Sequence, residues 1–311
     1  MKRIVALATL IGFGCLSIAV AGFQQPAGPS ERALAATKIE KVKDNLYVIT
    51  GSSASDQAAF SGGNTAVFIT DAGVVLVDTK LPGWGPTLLQ RIRTVTPKPV
   101  TTIINTHTHN DHTGSNEFFF SSPVTSVVHE NTKTLMAKMP EFSGDKAKFL
   151  PNRTYKTKLT LGSGKDEVDL YYFGPGHTSG DTFVVFPALR TMHAGDMFAW
   201  KALPYIDKDN GGSVVEHPES LERAVKTVKN VDTVIGGHIP VATFADLKEY
   251  ADFTEDFVDF ARKEMKAGKT AEQAASEYKL PAKYKGYVVT VNEQFASPTS
   301  NLQKIYAELK K

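Results

Sequence analysis

The sequence predicts an α+β fold in which helices cover β-sheets, and three observations predict it. Strand-like runs and helix-like segments alternate through both halves of the chain. The 311 residues are 41% hydrophobic and 22% charged, an ordinary globular composition without repeats or long low-complexity tracts. Four apolar runs each end in small residues followed by a histidine or an aspartate, and no linker divides them. Residues 38–311 therefore read as one domain that includes a helical C-terminal tail.

The first residues have the form of a secretory signal. Lys2 and Arg3 precede an apolar stretch, Ile4 to Val20, and Ala19-Val20-Ala21 fits a cleavage site before Gly22. A retained membrane anchor is the alternative, although the stretch is slightly short for a span. Cys15, the only cysteine, lies inside residues 1–21, so the mature chain is expected to form no disulfide and offer no thiolate ligand or nucleophile. Cleavage also removes Lys2 and Arg3, leaving 33 basic residues against 33 acidic ones. That balance argues against nucleic acid or an anionic membrane surface as the partner. The expectation is a periplasmic or secreted protein, not stably inserted in a membrane, acting on a small molecule, with its oligomeric state open.

Residues 22–37 read as a flexible mature N-terminus. Ile39 to Thr50 is strand-like throughout. Ala66 to Thr70 and Val74 to Asp78 form a hairpin about Asp71-Ala72-Gly73. Pro86 to Val95 reads as a helix with proline in its first turn. Val100 to Asn105 is a strand, a helix starts near His112 to Glu117, Val124 to Val128 is a strand and His129 to Met139 a helix. Leu159 to Leu161, Val168 to Phe173, Thr182 to Phe186 and Thr191 to His193 are strands. Leu221, Ala224, Val225 and Val228 recur at helical spacing over Pro218 to Lys229. Val231 to Ile235 is the last strand. The final seventy or so residues are mostly helical, with Phe253, Phe257 and Phe260 on one face.

The chemistry concentrates in His107-Thr108-His109-Asn110-Asp111-His112, where four metal-ligating side chains lie within six residues. Read as a strand extension, His107 and His109 point to one side and can share a divalent ion. A turn at Asn110 then brings Asp111 and His112 to a second ion. Zinc suits this mixture of nitrogen and oxygen ligands. Three more segments repeat the pattern: Gly174-Pro175-Gly176-His177-Thr178-Ser179-Gly180-Asp181, Ala194-Gly195-Asp196 and Gly236-Gly237-His238-Ile239-Pro240. Seven ligands delivered in this way suit two metal ions that share a carboxylate.

These motifs, H-x-H-x-D-H, G-H-T-x-G-D, G-D and G-G-H in that order, make the chain resemble the metallo-β-lactamase-fold superfamily of metallohydrolases from about Val42 to Pro240. The resemblance implies a four-layer αβ/βα sandwich with a dinuclear metal site at one sheet edge. It assigns His107, His109 and His177 to the first zinc, Asp111, His112 and His238 to the second, and Asp196 to both. Two Zn2+ per chain are expected; iron and manganese are compatible with the same ligands. Asp78 matches a position that supports ligands. His129, His193 and His217 match no ligand position and read as packing or surface residues, with His193 close enough to support the site.

The resemblance also implies a reaction. A water shared by two zincs loses a proton near neutral pH and attacks, while Asp111 acts as the catalytic residue that holds it or relays its proton. Fold and metals leave the substrate open. True β-lactamases of this fold carry cysteine or serine where Asp196 stands, and flavin-linked diiron reductases usually carry glutamate where His109 stands. The expectation is an exported hydrolase of an ester, lactone, amide or thioester, with a β-lactamase, a non-catalytic zinc-binding protein and a diiron oxidoreductase as alternatives. Trp200 and Tyr205, in the loop after Asp196, are candidate substrate contacts. Asn210-Gly211-Gly212-Ser213 and Gly62-Gly63-Asn64 are candidate rim loops.

Overall fold

The computed structural model describes residues 29–51 and 55–310, so the signal-like segment 1–21 and the start of the expected N-terminal stretch lie outside the described residues. The rest of that stretch contains a short helix. Helix α1 (Glu31–Ala36) starts at Ser30, whose Oγ accepts a hydrogen bond from the Ala33 amide, and Ala33 is buried. A good cap on an alanine-rich run outweighs the Pro, Gly and Gln residues before it.

The first sheet contains β1 (Ile39–Lys43), β2 (Leu46–Ile49), β3 (Thr65–Ile69) and β4 (Val74–Val77), then, after α2 (Gly85–Arg93), β5 (Val100–Ile104). Two short helices follow, α3 (Asn110–Thr113) and α4 (Asn116–Phe119), then β6 (Thr125–His129), α5 (Glu130–Met136) and β7 (Arg153–Tyr155). These seven strands lie in sequence order, antiparallel up to β4 and parallel from β4 to β7. The expected single run Ile39 to Thr50 is a hairpin instead. It turns at Asp44-Asn45, and the Asn45 side chain donates to the Ile69 carbonyl at 2.6 Å.

The second sheet contains β8 (Lys158–Leu161), β9 (Val168–Tyr171), β10 (Phe183–Phe186) and β11 (Thr191–Gly195), then, after α6 (Glu216–Thr227), β12 (Thr233–Gly236) and β13 (Ala242–Thr243). The chain ends in α7 (Phe244–Lys266), α8 (Ala271–Glu277), α9 (Glu293–Ala296) and α10 (Pro298–Leu309). β8 to β11 are antiparallel neighbours, β11 pairs parallel with β12, and β13 closes the edge antiparallel.

Period-two side-chain alternation explains the layering. Val75 and Val77 of β4 face inward to meet Val184 and Phe186 of β10 between the sheets, while Val74 and Leu76 face outward onto Leu88 and Ile92 of α2. On the other outer face, Phe183, Val185 and Met192 pack against Leu221 and Ala224 of α6 and Leu247, Phe253 and Phe257 of α7. The result is the expected helix–sheet–sheet–helix sandwich. α6 and α7 form its fourth layer, and α10 packs against them through Leu302 and Ile305. Among the described residues, no helix is long and apolar enough to cross a membrane.

Strand direction places the site. β4 and β5 run parallel, and so do β11 and β12. β9 is antiparallel to β10, which is antiparallel to β11, so β9 runs with β11. The C-terminal ends of β4 and β5 therefore share one edge of the first sheet, and those of β9, β11 and β12 share one edge of the second.

Candidate metal centre

His107 and His109 lie beyond the end of β5 rather than in it, so the expected strand alternation does not apply. His109 occupies the cap position of α3, and Asp111 and His112 lie in the helix itself. The loop after β9 brings His177, the end of β11 brings Asp196, and the turn after β12 brings His238. All seven expected ligands converge. Three overlapping groups, His107–His109–His177, His107–His112–Asp196 and Asp111–His112–His238, keep their donor atoms within 4.8 Å of one another.

The spacings fit metal ligation. His177 Nε2 is 2.9 Å from His109 Nδ1, and His112 Nε2 is 3.3 Å from His238 Nε2. Asp196 stands between the halves, with Oδ1 3.3 Å from His112 Nε2 and Oδ2 3.3 Å from His238 Nε2 and 3.7 Å from His177 Nε2. Asp111 Oδ2 lies 3.3 Å from His238 Nε2. Donors about 2.0–2.1 Å from one tetrahedral ion stand roughly 3.3 Å apart. His107 Nε2 and Asp196 Oδ1 are also buried without a hydrogen-bond partner, an arrangement that a bound cation would satisfy.

Outer partners fix the donor nitrogens. His112 Nδ1 meets Asp78 Oδ2 at 2.7 Å, His109 Nε2 meets Asp207 Oδ2 at 2.7 Å, and His177 Nδ1 meets the Tyr205 carbonyl at 2.7 Å. Each of these acceptors requires N–H on the ring nitrogen it faces, leaving the opposite nitrogen free toward the centre. Thr106 Oγ1 donates to Asp78 Oδ2 at 2.8 Å and is 2.9 Å from His107 Nδ1, so His107 is oriented in the same way. Asp78 and Lys80 hold positive φ angles of 66° and 62°, strained backbone that clusters where β4 meets the site.

Electrostatics favour a cation. Although burial opposes it, the carboxylates of Asp196, Asp111 and Asp78 hold His112 well above the usual imidazole range. Burial and the neighbouring imidazoles push His107 well below that range and His177 down to about 4. Asp196 is held well below the carboxylate range by His238 and His112 despite its burial. The His112 proton thus occupies a position that a divalent ion would fill.

A cleft of about 450 Å³ opens over the cluster, lined by Phe60, Leu81, Trp200, Tyr205, Asp207, Asp111 and other residues. Phe60 and Trp200 stand 5.6 Å and 6.1 Å from the His238 ring, and Tyr205 stacks 5.9 Å from His109. Trp200 and Tyr205 are therefore wall residues of this cleft.

A model of the metallo-β-lactamase superfamily matches residues 59–238, more than half of the chain. The chain belongs to that superfamily. Its enzyme class is that of a metal-dependent hydrolase. Among curated relatives of the superfamily it is 29% identical over 211 residues to the metallo-β-lactamase type 2 of Elizabethkingia meningoseptica, covering 65% of this chain and 78% of that protein. It is 27% identical over 245 residues to metallo-β-lactamase domain-containing protein 1 of Mus musculus, covering 76% and 86%. The metallo-β-lactamase from Pontibacter korlensis shares the superfamily fold, with a TM-score of 0.60, 21% identity and coverage of 70% of this chain and 99% of that one.

Several sequence expectations change. Asn210-Gly211-Gly212-Ser213 is not among the described lining of this cleft. Asn210 Nδ2 donates to Asp207 at 2.6 Å, and the Ser213 amide donates to Gly176 O at 2.9 Å, so the turn braces Asp207 and the His177 loop. Gly62-Gly63-Asn64 is also a buried brace. A Cβ on Gly63 would lie 2.2 Å from the His112 ring, and Asn64 Nδ2 donates to Gly236 O and Ile239 O on either side of His238. His129 stacks on Tyr172, His193 Nε2 meets the Asn64 carbonyl at 3.1 Å, and His217 packs edge-on to Tyr250; none of the three joins the ligand groups. His193 thus supports the Asn64 brace from behind.

Sequence reading missed Asp207, which looks like an ordinary turn aspartate in Ile206-Asp207-Lys208-Asp209. It also missed Lys80, a fully buried lysine whose Nζ donates to Gly63 O at 2.9 Å, with burial pushing its ammonium down to about 7 against the pull of Asp111 and Asp78. A lysine next to the end of a buried strand was the one available signal.

Proposed function

We propose that this protein is an exported dinuclear zinc hydrolase of a small ester, lactone, amide or thioester. The observation that carries the reading is the carboxylate of Asp196, within 3.3–3.7 Å of imidazoles on both sides of the seven-residue cluster. His107, His109 and His177 would hold one ion, Asp111, His112 and His238 the other, and Asp196 both. Two zinc ions, when bound, supply an acidified water and an electrophile for the scissile carbonyl. Of the cluster's two acids that line the cleft, Asp111 is the more exposed, so its carboxylate is suited to orient the attacking water and take up its proton. Export rests on Lys2, Arg3, the apolar run to Val20 and Ala19-Val20-Ala21.

The relatives named metallo-β-lactamases favour a second reading, hydrolysis of β-lactams. The deciding experiment measures turnover of nitrocefin, 4-nitrophenyl esters, aryl lactones and thioesters by protein of verified metal content. Ester, lactone or thioester turnover lost on chelation and regained with zinc supports the proposal. A nitrocefin kcat/KM above about 10⁴ M⁻¹s⁻¹, together with slow turnover of the others, replaces it with the β-lactam reading. Metal uptake without turnover of any of these compounds leaves a binding protein.

A further inference from the structure

The charge of the cleft walls bears on which substrates enter. Among the described residues, eleven line the cleft; none is a lysine or an arginine, and three are aspartates: Asp111, Asp196 and Asp207. Asp207 accepts hydrogen bonds from His109 Nε2 at 2.7 Å and Asn210 Nδ2 at 2.6 Å. The nearby cations are engaged outside the cleft. Lys304 donates to Ile206 O at 2.8 Å and lies over Tyr205, Lys208 pairs with Glu308, and Lys201 pairs with Asp246. Lys80 is buried on Gly63 O and is not a lining residue.

The remaining walls are mostly flat and apolar. Phe60 and Trp200 flank the His238 side, Tyr205 flanks the His109 side, Leu81 adds a further apolar side chain, and the uncharged Gln57 and Asn110 complete the lining. Two divalent ions would have their charge met largely by the three aspartates, leaving little for an anionic substituent away from the scissile bond. A carboxylate placed there would face Asp207 and find no donor to replace its water.

We propose that this cleft takes uncharged acyl compounds with a flat apolar or aromatic flank and excludes those that carry a carboxylate on that flank. The proposal rests on the hydrolase reading for its reaction, but its selectivity is a property of the walls and can be measured separately.

The test compares methyl 4-acetoxybenzoate with 4-acetoxybenzoate on the metal-loaded full chain, each rate divided by the hydroxide-catalysed rate of the same ester. In parallel, binding of benzyl alcohol and of its 4-sulfonate is measured by ligand-observed NMR. The neutral ester should be favoured at least about tenfold in kcat/KM, and benzyl alcohol should bind while the sulfonate does not. Gln57→Lys, which puts a cation on the exposed rim, should narrow the ester ratio several-fold. Equal turnover of both esters, or tighter binding of the sulfonate, would overturn the proposal. Hydrolysis of neither ester, with benzyl alcohol still preferred, would count against the hydrolase reading while supporting the selectivity.

Discussion

Asp78 joins His112 at 2.7 Å, and through Thr106 the same carboxylate orients His107. One buried aspartate thus sets the ring orientation of two ligands. It can do so because the positive φ at Asp78 turns its side chain back across the end of β5, where Oδ1 also accepts the Thr106 amide at 2.8 Å.

Asp78→Asn removes an acceptor that both rings need. Zinc affinity should fall about 10–100-fold for both ions, with the circular-dichroism spectrum unchanged. Asp207→Asn, which touches only His109 among the ligands, should weaken one ion and spare the other. Competition with a chromophoric chelator reads both constants, and equal losses in the two variants would contradict this division.

Asp111→Ala removes the cleft-facing carboxylate and should lower kcat by about a hundredfold or more without unfolding the chain. Near-normal turnover with a full complement of metal would remove Asp111 from the reaction.

Metal uptake should depend on pH with a definite sign. The carboxylates around His112 hold its proton well above the usual range, so metal-free protein carries that proton at pH 7 and metal must displace it. Affinity should therefore rise with pH through neutrality. Calorimetry in buffers of different ionisation heat should show protons released on binding. The same raised pKa adds to the stability of the metal-free fold at low pH, and that contribution is lost as pH climbs through it. No proton release at pH 7 would mean that His112 is neutral before metal arrives.

Gly237→Ala tests the packing around Asp196. A Cβ there would lie 1.8 Å from Asp196 Oδ1, too close for the carboxylate to stay. The variant should lose metal affinity and most turnover; unchanged zinc binding would show that Asp196 is not held where described.

Individual strands were legible in the sequence as short apolar runs, such as Val74 to Val77, which is buried on both faces. The seven residues of the cluster were legible because each follows a strand end in a short motif. The hairpin at Asp44-Asn45 was not, since one continuous apolar run hides a two-residue turn. Asp207, Asn64 and Lys80 were not legible either. Their roles depend on contacts across the fold, such as Asn64 reaching Gly236 and Ile239, and no local pattern marks such partners.

The most direct test is anomalous diffraction at the zinc edge from zinc-loaded crystals. The account predicts two peaks, one among His107, His109 and His177 and one among Asp111, His112 and His238, with Asp196 reaching both. A single peak, or two that leave Asp196 unbound, would contradict the dinuclear centre.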